Sequence, residues 1–192
     1  MSNKLQIMNK KLCTLTVFKK LATDSAIKEL REILSIIDVC DDKAWLIDQY
    51  TAFVHELYLK GGNLTKHVLD LVTNDENVYV KNCASGEEIS EVVYNATMAE
   101  LDTLSELALM TSKEFKEAIG YEGFLPEWET SDINIKKEYI ERIKNISKYG
   151  YGIYSKYHMF YVKDSNIVPV KHPDKISLDD LIGYKEERKQ II

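Results

Sequence analysis

The chain has 192 residues, 45% hydrophobic and 29% charged, a balance that excludes wholesale disorder and fits one generous globular domain or one domain with a short appendage. A formal net charge of −6 argues against a general nucleic-acid binder, because binding along a phosphate backbone depends on clustered lysine and arginine. Three scattered cysteines, with neither a continuous apolar leader nor an apolar run of membrane length, make a reducing cytoplasm the expected setting and a membrane an unexpected partner.

With only three prolines and eight glycines, the first two-thirds of the chain read as a succession of amphipathic helices. Leu12, Leu15, Phe18 and Leu21 mark the first. Asp24 can cap the second, whose stripe is Ile27, Leu30, Ile33, Leu34 and Ile37. Asp41 or Asp42 starts a third, carrying Ile47, Tyr50, Val54, Leu57 and Tyr58, which Gly61 and Gly62 close. A short helix with Leu64, Val68, Leu71 and Val72 follows, then a poorly patterned stretch over 78–83. The longest helix is expected over about 87–110, with Ile89, Val92, Val93, Ala96, Ala99, Leu104 and Leu107 inward and Glu87, Glu88 and Glu91 at its positive end. Thr111 and Glu114 form a capping box for a short helix ended by Gly120.

Residues 121–131 (YEGFLPEWETS) break this pattern. A loop carrying Phe124, Leu125 and Trp128 must either pack on the bundle, the favoured reading, or face a partner. Asp132 is expected to start another helix, with Ile135, Tyr139, Ile140, Ile143 and Ile146. After Gly150 the period changes to two: Tyr151, Ile153, Tyr157, Met159 and Tyr161 predict a strand, residues 163–166 a turn and 167–170 a return strand. Pro169 restricts that second strand to an edge or irregular role. The fold class is therefore mainly α: an irregular multi-helix bundle over 1–148, a β-hairpin over 149–171, and a linker with the start of a further module over 172–192.

Signals for chemistry are sparse. His55, His67, His158 and His172 are dispersed, His55-Glu56 lacks a second histidine, and no signature places a base beside Cys83. Glu87-Glu88 and Asp179-Asp180 are explained as dipole partners and solvated groups. The expectation is no catalytic residue, no metal ligand and no cofactor held by this chain alone. Charge is uneven, acidic over 70–106 and basic over 133–163; solvated helix faces explain this, and partner docking is the alternative. The candidate partner surface comprises Tyr151, Tyr154, Lys156 and Tyr157 with Phe124 and Trp128. Tyrosines interleaved with lysines also stack bases in single-strand binders, so nucleic-acid binding is kept as the less favoured alternative.

The stretches KYGYGIYSKYHMFYV (148–162), IGYEGFLPEWE (119–129) and HPDKISLDDLIGY (172–184), with GGNLT at 61–65, resemble the N-terminal region of a bacterial family of predicted AAA+ ATP-binding proteins of unknown function. The resemblance covers most of the chain, is strongest from Ile119 onward and is weak before about residue 40. It implies an ATPase module following the LIGY segment, with Leu181, Ile182, Gly183 and Tyr184 flanking the adenine. Within the 192 residues there is no G-x-x-x-x-G-K-[ST] loop, so the resemblance places ATP and Mg in the full-length protein. It further implies a non-catalytic adaptor or regulatory domain, which recognises a protein partner or its own ATPase module. Any oligomer would form through that module.

Overall fold

The computed structural model describes residues 2–152, 154, 157, 159–163 and 166–170. Two compact units divide the chain, residues 1–155 and residues 156–192.

The first unit is a helical bundle. Its elements are α1 (Ser2–Cys13), a 3-10 helix (Lys19–Thr23), α2 (Ser25–Ile36), α3 (Lys43–Leu59), α4 (Leu64–Asn74), α5 (Val78–Ser85), α6 (Glu91–Ala108), α7 (Ser112–Ile119), α8 (Ile135–Lys144) and the short α9 (Ile146–Tyr149). Helix α2 packs along α3 and receives α1, while α6 contacts α1, α4 and α8. One core unites them, running from Leu5, Met8 and Leu12 through Leu30, Ile33, Tyr50, Phe53 and Leu57 to Leu104, Phe115 and Tyr139. Burial of apolar side chains in this shared core stabilises the helices together.

Helix starts follow local chemistry. Asp24 caps α2 by accepting the Ile27 N–H at 3.1 Å, as the sequence suggests. Asp42, not Asp41, caps α3 through the Ala44 and Trp45 amides. Glu114 reaches back to the Thr111 N–H at 2.8 Å to open α7. Helix α8 starts on Asn134, whose side chain accepts from Lys137, and not on Asp132. The weakly patterned stretch after residue 77 is the helix α5, capped by Asn77 at the Val80 N–H.

Two expectations fail, the second only in part, and for the same reason. The first helix does not continue to Leu21: α1 stops at Cys13, and residues 14–18 cross to the 3-10 helix. The expected inward stripe of α6 holds only in part: Leu104 and Leu107 are buried and Val93 packs against the core, but Val92 is 79% exposed and Ala99 is exposed. Thr97, Glu100, Leu101 and Ala108 join Leu104 and Leu107 on the buried face. Glu100 holds the crossing: its carboxylate accepts from the Thr16, Val17 and Phe18 amides at 2.7, 3.1 and 2.9 Å, and from the Thr16 hydroxyl at 2.6 Å. A buried carboxylate with four donors is a satisfied group, so α6 turns a glutamate inward.

The second unit contains β1 (Phe160–Lys163) and β2 (Asn166–Pro169), an antiparallel pair with Lys163 opposite Asn166 and Phe160 opposite Pro169. The expected long first strand is shorter: Tyr151 lies in a bend and Tyr154 is helical, while α9 occupies 146–149. Gly150 and Gly152 have φ of 65° and 55°, left-handed values that interrupt an extended run before it starts. Among the described residues no helix is long and apolar enough to cross a membrane.

Candidate functional site

The segment between α7 and α8 carries the most distinctive geometry. Gly120 ends α7 in the left-handed region, and the Lys43 ammonium donates to its carbonyl at 2.8 Å. The Tyr121 ring then folds over Gly123 so closely that a Cβ there would lie 2.3 Å from it. Beyond this point the chain is fastened residue by residue. Leu125 is buried. The Pro126 carbonyl accepts the Tyr50 hydroxyl at 2.5 Å, and the Glu127 carbonyl accepts the Tyr58 hydroxyl at 2.6 Å. Burial, with the Glu127 charge adding to it, holds the Tyr50 phenol well above its ordinary pKa, so it stays a donor.

Trp128 is a core residue. It is 7% exposed, donates its indole N–H to the Met110 carbonyl at 2.9 Å, and packs edge-on against Phe53 and Phe115 at ring separations of 5.0 and 5.3 Å. Its place in the candidate partner surface is therefore withdrawn: an indole with both its face and its N–H engaged offers nothing outward. Glu129 next makes a parallel bridge to Asn63, its N–H donating to Gly62 and its carbonyl accepting from Leu64, both at 2.9 Å. The Thr65 hydroxyl accepts the Ser131 N–H at 2.9 Å and donates to the Ala108 carbonyl at 2.7 Å. In the midst of these fastenings Phe124 is 89% exposed.

The other predicted surface residues are less concentrated. Tyr151 and Tyr154 meet edge to face with ring centroids 6.2 Å apart, and Tyr154 is exposed. Tyr157 is half-buried and belongs to the second unit. Lys156, Leu181, Ile182, Gly183 and Tyr184 lie outside the described residues, as does the expected linker from 172 onward.

Buried polar groups elsewhere serve the fold. His67 Nε2 lies 2.9 Å from Asp24 Oδ1, tying α4 to the start of α2. Asn77 donates to Asp75 at 3.0 Å and to the Tyr139 hydroxyl at 3.5 Å. Burial raises the Asp75, Tyr139 and Cys83 pKa values, so each favours its neutral form. A cavity of about 320 Å³ lies between α4 and α8, lined by Leu69, Thr73, Glu138, Glu141, Arg142 and Asn145. No group of three potential metal ligands occurs among the described residues.

Sequence reasoning missed Tyr50 and Tyr58 as the clamps of this segment and Glu100 as a structural carboxylate. The helical spacing of Glu100 with Thr97, Leu101 and Leu104 was the available signal for the last. No protein-family model, curated protein or solved structure matches the chain.

Proposed function

We propose that the chain is a non-catalytic N-terminal adaptor or regulatory domain of an AAA+ ATP-binding protein, recognising a protein partner and coupling it to a downstream ATPase. The observation supporting recognition is Phe124: a large apolar side chain, almost fully exposed, on a backbone fastened immediately after it. Rigid aromatic anchors are the residues through which protein interfaces gain most of their affinity, since little conformational freedom is lost on binding. The ATPase half of the proposal rests on the resemblance of 119–129, 148–162 and 172–184. Its test is the coding sequence directly downstream of Ile192. A phosphate-binding G-x-x-x-x-G-K-[ST] loop in frame supports it, and an in-frame stop codon there removes the motor.

The second reading, single-stranded nucleic-acid binding, draws on Tyr161 and Lys163, both exposed on β1. It requires that anisotropy of a labelled oligothymidylate report binding that weakens steeply with salt. No binding at low salt would end it.

A further inference from the structure

We infer that Phe124 is the central anchor of a docking site for a protein partner that offers an apolar pocket rimmed by lysine or arginine. This rests on the protein-recognition reading above and adds the chemistry of the partner.

Three observations converge on the site. The first is the contrast within one loop: Leu125 and Trp128 are 2% and 7% exposed, whereas Phe124 is 89% exposed. The loop therefore buries the apolar side chains on both sides of its proline and leaves one out. The second is fixity. Lys43, Tyr50 and Tyr58 hold three backbone carbonyls, those of Gly120, Pro126 and Glu127, on either side of Phe124. The stacking of Tyr121 on Gly123 shapes the approach to it.

The third is charge. Residues 119–129 contain Glu122, Glu127 and Glu129, all exposed, and neither lysine nor arginine. Two lysines that contact the segment are engaged, Lys43 by the Gly120 carbonyl and Lys116 by Glu127 at 2.7 Å. Glu122 and Glu129 have no ion-pair partner among the described residues, so the segment that exposes Phe124 carries unneutralised negative charge. Negative charge on this segment repels the phosphates of nucleic acid and of anionic lipid and attracts a cationic protein surface. An apolar centre with a charged periphery is also the ordinary anatomy of a protein interface.

The test uses the 192-residue chain as bait for a phage-displayed library of random dodecapeptides, with a parallel selection on the Phe124→Ala chain. The expected result is a set of peptides combining apolar and basic residues. They bind at least about tenfold more weakly to Phe124→Ala. They also bind more weakly to the Glu122→Gln/Glu129→Gln chain, and more weakly as salt rises. Unchanged helical circular dichroism of each variant shows that the fold is intact. Peptides that bind the Phe124→Ala chain equally well overturn this site and leave protein recognition standing. Phe124-dependent peptides lacking basic residues overturn the partner chemistry. Enrichment on neither chain overturns both readings. Phe124-dependent binding to phosphatidylserine vesicles or to oligothymidylate would replace the protein partner with a phosphate surface and overturn the proposal.

Discussion

The N–H of Phe18 donates to the carboxylate of Glu100 at 2.9 Å across 82 residues of chain, and the flanking Val17 and Thr16 amides share the same carboxylate. Three consecutive backbone donors that no helix could satisfy are thereby paired, and Phe18 is delivered to the core against Tyr139 with ring centroids 5.5 Å apart.

Replacing Glu100 with alanine should therefore destabilise the chain by about 3 kcal/mol, since several charge-assisted hydrogen bonds are lost and buried amides are left unpaired. Glu100→Gln keeps one acceptor and turns an N–H2 toward a donor, so an intermediate loss is expected. Urea denaturation measures both. A Glu100→Ala chain as stable as the parent would show that water replaces the carboxylate without cost.

Trp128 and Phe124, four residues apart, should respond oppositely to truncation. Trp128→Ala removes a buried ring and its hydrogen bond to Met110, at a cost of about 4 kcal/mol. Phe124→Ala should change stability by no more than about 0.5 kcal/mol. Thermal unfolding of the two variants side by side decides this, and a large loss for Phe124→Ala would mean the ring is packed.

Asp75 makes stability depend on pH. Burial raises its pKa above the ordinary value of 3.8; Glu76 adds to that, while Asn77, Lys20 and Lys81 oppose it. The folded chain then holds this proton more tightly than the unfolded chain. Its contribution is fully present below about pH 3.8 and is lost as pH rises through the folded-state pKa. Asp75→Asn retains an acceptor for Asn77 without the charge. It should flatten the decline of stability as pH rises above about 3.8, and leave the chain no less stable at neutrality. Melting temperatures across that range test the sign, and an unchanged slope would assign the dependence to another group.

Much of the bundle was legible because caps and stripes are local. Asp24, Thr111 with Glu114, and Gly120 act where the sequence places them. The rest depended on distant partners. Val78-Tyr79-Val80 reads poorly as a helix, because its order comes from the Asn77 cap and from Tyr79 packing near Tyr94 and Tyr139. The part of α6's buried face around Glu100 was hidden because a glutamate reads as surface until the amides of residues 16–18 are seen to meet it. The candidate site was half legible. The apolar segment 121–131 stood out, yet nothing in its own residues separates an inward Trp128 from an outward Phe124. That division is made by Tyr50, Tyr58 and the Met110 carbonyl.

The bridge between Asn63 and Glu129 also bears on the order in which the chain folds. It closes a loop containing α4, α5, α6 and α7, and the entropy of closing so long a loop opposes the bridge until other contacts hold the ends together. Thr65 meets the Ala108 carbonyl and the Ser131 amide together only where α4 and α6 lie against each other, so the expectation is that this fastening forms late in assembly. On that expectation, a partner of the kind proposed for Phe124 would meet this residue in its fixed place only in a fully folded chain.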